Sequence, residues 1–212
     1  MIDGIIFDLD GTLWNSTEEV ARAFNKVLKD NHPEVKEVVT AELLQGLFGL
    51  PLDVIAVKLF QSVSEEHAIK VMQECCDYEV IYLAEHGAIL YDDLEESLQK
   101  LSELCRLFIV SNCQEGYIQC LFEAYPHLSQ YFTDFEYPGR SGKLKADNIR
   151  LIMERNELRN PIYVGDTQGD ANAAREAGIP FIFARYGFGD VSEYEAAVDS
   201  LPKLVNLILS KH

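Results

Sequence analysis

The chain has 212 residues, and its 35 acidic and 18 basic residues give a formal net charge of −17. This length suits one sizeable domain, or one domain that carries an insert. The acidic balance argues against nucleic acid or an anionic membrane surface as the main partner. No basic and then apolar leader precedes the first strand and no apolar run reaches ~18 residues, so we expect neither an export signal nor a membrane span. The five cysteines form no CxxC pair and no zinc spacing, which predicts reduced thiols in a cytoplasmic protein.

The first predicted strand, Gly4–Phe7, is an apolar run that ends in Asp8-Leu9-Asp10-Gly11-Thr12. Such a run is typical of a central parallel strand that is buried on both faces. Carboxylates are costly to bury unless something pairs with them. We therefore expect Asp8 and Asp10 at the end of this strand, facing a cation or a reacting group. Alone, the pair is equally compatible with a simple turn, because Asp and Gly are ordinary turn residues.

A long segment without a convincing strand follows, and its apolar spacing predicts helices. Ser16-Thr17-Glu18-Glu19 fits a capping box at the start of the first helix. A long helix is predicted from about Ser64 to His86. This is more material than a simple crossover needs. We predict a small helical subdomain, residues 15–87, inserted into a core domain that comprises residues 1–14 and 88–212.

Strands and helices alternate through the rest of the chain. The strand-like apolar runs are Leu107–Val110, Ile162–Val164 and Phe181–Ala184, with a weaker run at Phe132–Tyr137. Helical periodicity separates them, and Gly178 is a typical helix stop. This alternation predicts an α/β fold with a doubly wound, Rossmann-like parallel sheet.

Three of the predicted strands end in polar groups. Asp8 and Asp10 follow the first, Ser111-Asn112 follow the second, and Gly165-Asp166-Thr167-Gln168-Gly169-Asp170 follow the third. Ligands of open parallel sheets bind at the carboxyl ends of the strands, so we expect these side chains to meet there. Lys143 and Lys145 precede a helix by about one turn, and either can reach the same crevice.

This set of groups suits phosphoryl transfer. Asp8 is a candidate nucleophile, because a carboxylate can accept a phosphoryl group as an acyl phosphate. Asp8 and Asp166 offer the hard oxygen ligands that Mg²⁺ prefers, and Asp10 can act as general acid and base. Ser111, Asn112 and one of the lysines would bind the phosphoryl oxygens.

The motifs DLDGT, VSN, a lysine before a helix and VGDTQGD, in this order, resemble those of the haloacid dehalogenase-like (HAD) hydrolase superfamily. The helical insert is similar to the small cap of its phosphoglycolate phosphatase-like subfamily. The resemblance implies that Asp8 is the nucleophile, that Asp10 is the acid and base, and that Asp8, the Asp10 carbonyl and Asp166 bind Mg²⁺. It also implies that Asp170 supports the metal and that Ser111 and a lysine bind phosphate.

The chain departs from the family pattern at three positions. Asn15 stands where an acidic residue is common, and Ser111 replaces a frequent threonine but keeps the hydroxyl. The lysine motif lacks its usual prolines and reads Lys143-Leu144-Lys145-Ala146, so both lysines stay candidates, with Lys145 favoured because it directly precedes the helix. By resemblance, the loop Phe48-Gly49-Leu50 reaches the site from the insert.

The sequence therefore predicts a Mg²⁺-dependent phosphatase that acts on a small phosphorylated metabolite, as a monomer or a homodimer. A phosphomutase of the same fold shares these motifs, and a non-catalytic phospho-receiver module shares the acidic pocket and the lysine. A dehalogenase is disfavoured, because it needs neither Asp10 nor a metal. Trp14 either lines the site or packs at the hinge to the insert. The histidines show no ligand spacing and receive no role; they are His32, His67, His86, His127 and His212.

Overall fold

The computed structural model describes residues 1–211. In chain order the strands are β1 (Gly4–Phe7), β2 (Trp14–Asn15), β3 (Ile89–Leu90), β4 (Arg106–Val110), β5 (Phe132–Glu136), β6 (Pro161–Gly165), β7 (Phe181–Ala184) and β8 (Ala196–Val198). Six of them form a parallel sheet in the order β5-β4-β1-β6-β7-β8, and β2 pairs with β3 in a separate antiparallel ribbon. The predicted α/β fold with a doubly wound parallel sheet is confirmed. Sequence reasoning missed β2, β3 and β8.

The central position of β1 brings the polar motifs together. All four residues of this strand are buried, as the apolar run predicted. Phe7 lies level with Ile109 of β4 and with Val164 of β6. The residues that follow these three strands therefore emerge side by side at one edge of the sheet.

Helices cover both faces of the sheet. They are α1 (Thr17–Asn31), α2 (Ala41–Gln45), α3 (Leu52–Leu59), α4 (Glu65–His86), α5 (Leu94–Ser102), α6 (Tyr117–Ala124), α7 (Pro138–Ser141), α8 (Lys145–Arg155), α9 (Gln168–Ala177) and α10 (Leu201–Leu209). On one face α8 and α9 pack over Phe108 and Tyr163. On the other face α5 packs against α10 beside Phe7 and Ile109. No helix within residues 1–211 is long and apolar enough to cross a membrane.

The predicted helical insert contains α1 to α4, and both α1 and α3 pack against α4. The long helix begins at Glu65, next to the predicted start. The capping box predicted at Ser16 is wrong, because the Ser16 side chain makes no hydrogen bond to the start of α1 and binds Asp10 instead. The β2–β3 ribbon lies where the insert is predicted to begin and end. The division into a core and an insert of residues 15–87 stays a prediction.

Candidate active site

Three buried carboxylates and one lysine meet at the carboxyl end of the sheet. Oxygens of Asp8, Asp166 and Asp170 lie within 4.8 Å of one another. Nζ of Lys145 donates hydrogen bonds to Oδ1 of Asp8 at 2.9 Å and to Oδ1 of Asp170 at 2.6 Å. The structure thus places four of the predicted site residues in one group, which we call the carboxylate group.

Of the two candidate lysines, the structure brings Lys145 to the carboxylate group and leaves Lys143 exposed. Lys145 is the first residue of α8, and this helix buries Ala146 and Ile149 against the sheet. The packing of α8 therefore turns the Lys145 side chain inward. Lys143 precedes the helix, and its backbone carbonyl accepts a hydrogen bond from Nδ2 of Asn148 at 3.3 Å.

The start of α9 fixes the orientation of Asp170. Oδ2 of Asp170 accepts hydrogen bonds from the N–H of Thr167 at 3.0 Å and from its Oγ1 at 2.7 Å, within a capping box. Its other oxygen accepts from Lys145. Both oxygens of Asp170 therefore have partners in the protein, whereas Oδ2 of Asp8 accepts no hydrogen bond from residues 1–211.

Two glycines allow the backbone to approach Asp166 closely. Gly11 has a φ of +80°, and a Cβ there would lie 2.1 Å from Oδ2 of Asp166. A Cβ on Gly187 would lie 2.2 Å from Cβ of Asp166. The N–H of Phe188 donates to Oδ2 of Asp166 at 2.7 Å. Gly11 belongs to the first motif, whereas the loop of Gly187 and Phe188 lies outside all four motifs.

The carboxylate group carries more negative than positive charge. Burial raises the pKa of Asp8, and Asp170 raises it further, while Lys145 lowers it. Burial, Asp170 and Asp8 together raise the pKa of Asp166. Because a single lysine faces three carboxylates, a further cation would stabilise their ionised forms. Carboxylate oxygens at this spacing are a donor set that fits Mg²⁺.

Asp10 lies outside the carboxylate group, and its side chain is held near the start of the insert. Its Oδ1 accepts hydrogen bonds from Nε1 of Trp14 at 2.9 Å, from Oγ of Ser16 at 2.5 Å and from the hydroxyl of Tyr117 at 2.9 Å. Burial raises the pKa of Asp10 to about 6, although these donors lower it. A pKa near neutrality suits a group that both gives and takes a proton.

Sequence reasoning missed two of these donors. Ser16 carried a different signal, that of a helix cap, and Tyr117 lies 107 residues from Asp10 in the chain. The sequence allows Trp14 to line the site or to pack at the hinge to the insert. In the structure its ring is buried, and its Nε1 donates a hydrogen bond to Asp10. A metal contact through the Asp10 carbonyl stays a prediction.

A cavity of about 40 Å³ lies between the carboxyl edge of the sheet and the insert. The predicted residues that line it are Asp8, Asp10, Ser111, Asn112, Phe48 and Gly49. Leu50, which was predicted with them, is not among the residues of its wall. Nδ2 of Asn112 donates to the Gly49 carbonyl at 3.0 Å, so the insert loop contacts the core at this point.

Two histidines to which the sequence assigned no role come together on the surface of the insert. Nδ1 of His32 and Nε2 of His67 lie 3.2 Å and 2.7 Å from Oε1 of Glu34. Nε2 of His32 also lies 3.0 Å from Oε2 of Glu74. The ligand atoms of His32, Glu34 and His67 lie within 4.8 Å of one another, and hydrogen bonds join the two imidazoles to Glu34. His212 lies outside the described residues.

The sequence model of the haloacid dehalogenase-like hydrolase family matches residues 5–184 of the chain. The chain belongs to this family. The match covers all four motifs of the site, and the resemblance inferred from them is confirmed. The hydrolase class of the protein follows from the same match.

Curated relatives of this HAD hydrolase include the phosphoglycolate phosphatase of Rhodobacter capsulatus, which is 27% identical over 95% of this chain and 90% of the relative. The phosphoglycolate phosphatase of Escherichia coli is 24% identical over 96% of this chain and 92% of its own. A solved structure of a haloacid dehalogenase-like family protein from Streptococcus pneumoniae superposes with a TM-score of 0.84, at 23% identity and 98% coverage of each chain. A predicted phosphatase from Clostridium acetobutylicum gives a TM-score of 0.80, at 25% identity and 99% coverage of each chain.

Proposed function

We propose that this HAD hydrolase is a Mg²⁺-dependent phosphatase that hydrolyses a small phosphomonoester through an aspartyl-phosphate on Asp8. The phosphatase class agrees with the curated relatives, which are phosphoric monoester hydrolases by name. The observation that carries the proposal is the position of Asp8, at the end of the central strand, with one oxygen held by Lys145 and the other without a partner among residues 1–211. The proposal includes a small phosphorylated metabolite as substrate, a cytoplasmic location and a monomer or homodimer.

In the first step, Oδ2 of Asp8 attacks phosphorus and forms an oxygen–phosphorus bond. The ester bond breaks, and its electron pair stays on the leaving oxygen, which takes a proton from Asp10. The proton is carried by Oδ2 of Asp10, because Oδ1 already accepts three hydrogen bonds. These three bonds also hold the carboxyl group in one orientation.

In the second step, a water oxygen attacks phosphorus while Asp10 takes a proton from that water. The bond between Asp8 and phosphorus breaks, inorganic phosphate leaves, and the carboxylate of Asp8 is restored. A single group thus acts as the acid and then as the base. The pKa of Asp10, raised by burial to about 6, makes both protonation states accessible near neutral pH.

Lys145 supplies a fixed positive charge beside the reacting atoms. Burial lowers the pKa of Lys145, but the adjacent carboxylates of Asp170 and Asp8 raise it above its usual value, so the amine stays protonated. Its charge favours the ionised form of Asp8 and attracts the phosphoryl oxygens. Ser111 is buried against the same cavity and Asn112 lines it, so both can donate to the phosphoryl group.

Asp8 and Asp166 would hold Mg²⁺, and Asp170 would hold the group in place through Thr167 and Lys145. When bound, Mg²⁺ neutralises charge between the carboxylate nucleophile and the anionic substrate. In this arrangement Thr12 and the Phe188 N–H orient Asp166. The Asp10 backbone carbonyl is a further ligand by family resemblance.

Release of inorganic phosphate from a panel of small phosphomonoesters tests the proposal, with Mg²⁺ and with EDTA. We expect metal-dependent release that falls by at least about 1,000-fold in Asp8→Asn, because the amide is not a nucleophile. Asp30→Asn, which changes an exposed carboxylate of α1, is the matched control, and its rate of phosphate release should equal that of the parent protein. Release that persists in Asp8→Asn would contradict the proposal, and conversion of a sugar phosphate to its isomer without release would identify a phosphomutase.

A further inference from the structure

The side of the cavity that faces the insert has no positive charge. Above Asp10, the insert contributes apolar side chains such as Phe24, Leu44 and Met72, and one acidic side chain, Glu79. Within residues 1–211 no lysine or arginine lines this cavity, and Lys145 is held below it by Asp8 and Asp170. The leaving group of any substrate must occupy this side, because the phosphoryl group has to lie at Asp8.

Glu79 is the unusual member of this wall. It lies in the middle of α4 and is only 4% exposed. One carboxyl oxygen, Oε2, accepts a hydrogen bond from Nε2 of Gln114, and within residues 1–211 the other makes no hydrogen bond. Burial raises its pKa well above the usual value, and Asp10 adds to this, while Gln114 opposes it. Its second oxygen therefore stays available to a hydrogen-bond donor on a ligand in the cavity.

The groove next to this cavity is acidic as well. A groove of about 510 Å³ runs beside it and shares Asn112 and Gln114 with its wall. Asp53, Glu115 and Glu176 stand along this groove, and its cation is again Lys145. A substrate that carries a second negative charge therefore meets the carboxylates of this groove.

We propose that Glu79 and Gln114 form a leaving-group subsite that accepts an uncharged, hydroxyl-bearing alcohol and disfavours an alcohol that bears a carboxylate. This inference rests on the proposed phosphatase activity and names the class of substrate for it. It separates this chain from the relatives whose names specify phosphoglycolate, since the leaving group of that ester carries a carboxylate.

The chemistry of the two groups explains the preference. A hydroxyl can donate a hydrogen bond to the free oxygen of Glu79 and accept one from an amide or acid proton beside it, so it binds there without adding charge. A carboxylate would be buried beside Glu79 and Asp10 with no cation to pair with it. Sites that are built to hydrogen-bond one group reject a mismatched analogue strongly.

Three phosphate esters with two-carbon leaving groups test the inference, because they differ chiefly in charge. They are 2-hydroxyethyl phosphate, phosphoglycolate and phosphoethanolamine. With saturating Mg²⁺, we expect kcat/KM for 2-hydroxyethyl phosphate to exceed that for phosphoglycolate by about 100-fold. Equal values, or a preference for phosphoglycolate, would overturn the inference. A preference for phosphoethanolamine would also overturn it, because an ionised Glu79 would then be pairing with an ammonium group.

Glu79→Gln connects the preference to this residue. A glutamine amide can donate two hydrogen bonds to a carboxylate, so we expect kcat/KM for phosphoglycolate to rise and the ratio between the two substrates to fall by about tenfold. Glu85→Gln, on an exposed position of the same helix, should leave the ratio unchanged. A ratio that stays constant in Glu79→Gln while both rates fall would show a purely structural residue and would overturn the inference.

The two proposals fail in different ways. If the three esters are inert but other phosphomonoesters are hydrolysed with dependence on Asp8, the phosphatase stands and the inferred subsite is wrong. If no ester in a broad panel gives release that depends on Asp8, the phosphatase itself is wrong, and the inferred subsite falls with it.

Discussion

At the scale of single residues, the charge balance of the carboxylate group depends on Lys145. It contacts two of the three carboxylates, and its side chain is 5% exposed. We expect Lys145→Met to lower kcat/KM by at least about 100-fold, because a fixed positive charge is lost from a water-poor site. Steady-state phosphate release measures the change. Lys143 is two residues away and exposed, so Lys143→Met should keep a kcat/KM close to that of the parent protein. A comparable loss in Lys143→Met would assign the phosphate contact to Lys143.

The same substitution has an effect on stability that depends on pH. Lys145 lowers the pKa of Asp8 and Asp166, so its loss raises both pKa values further above those of the unfolded chain. A carboxyl group with a raised pKa in the folded state loses its favourable contribution as the pH rises through that value. In EDTA, the deficit in melting temperature of Lys145→Met should therefore be larger at pH 8 than at pH 5. A deficit that is independent of pH would indicate lost packing alone.

Tyr117 is one of the three hydrogen-bond donors that lower the pKa of Asp10. Its hydroxyl donates to Oδ1 of Asp10 at 2.9 Å and stabilises the ionised form. Tyr117→Phe removes that bond, so the pKa of Asp10 should rise above about 6. The acid form then persists to higher pH, and the alkaline limb of the profile of kcat/KM should move up by roughly one pH unit.

A tyrosine elsewhere in the fold provides the control for this profile. Tyr125 donates to the Ala88 carbonyl at 2.6 Å and does not contact the site. Tyr125→Phe should leave the alkaline limb of the pH profile of kcat/KM unchanged. An alkaline limb that does not move in Tyr117→Phe would mean that another group titrates in that range.

At the scale of elements, the loop between α2 and α3 contacts the segments that follow β4 and β7. The Gly49 carbonyl accepts from Asn112, and the ring of Phe48 packs at 6.1 Å from that of Phe188. Gly49 has a φ of +89°, and a Cβ on it would lie 3.2 Å from Oγ1 of Thr167. Glycine adopts this φ without strain, and a larger residue would also have to displace the Thr167 side chain by a few tenths of an ångström.

Gly49→Ala tests whether this loop contact contributes to catalysis. We expect kcat/KM to fall by roughly tenfold, because the methyl group pushes the loop away from Thr167 and opens the cavity to water. Gly178→Ala is the matched control, since φ is +82° there and nothing lies within 4 Å of the added Cβ. Both variants should lose about 1–2 kcal/mol of stability from backbone strain, so equal activities would show that the loop contact is dispensable.

At the scale of the whole molecule, the strands that position the site could be predicted from the sequence. Ile5 to Phe7 and Ile162 to Val164 are buried on both faces, so their apolar runs are continuous. The polar motifs directly follow these strands, and they meet because the carboxyl ends of parallel strands lie at the same edge of the sheet. Ala196–Val198 escaped prediction, since a three-residue edge strand with small residues has no distinct pattern.

The parts of the site that were missed are those supplied by long-range packing. Ser16 has the sequence context of a helix cap, but the hydroxyl of Tyr117 and the carboxylate of Asp10 lie within its reach in the fold. Glu79 is one of many acidic residues in helices, and only the packing of α4 against α6 places it on the cavity beside Gln114. The apolar residues of α4 are spread around the helix, and Ile69 and Ile81 are exposed, so periodicity does not single out the face that carries Glu79.

The net charge of −17 leads to a prediction about the protein as a whole. A phosphomonoester is an anion, and Glu115 and Glu176 line the groove beside the site. At ~10 mM salt the screening length is ~30 Å, so the whole acidic surface repels the substrate; at ~100 mM it is ~10 Å. With Mg²⁺ held at saturation, kcat/KM should therefore rise about two- to fivefold over this range.

The double substitution of Glu115→Gln and Glu176→Gln should make kcat/KM depend less on salt, because it removes two charges from the groove beside the site. A fall in kcat/KM with salt would mean that the local field of Lys145 and the bound cation attracts the substrate more strongly than the acidic surface repels it.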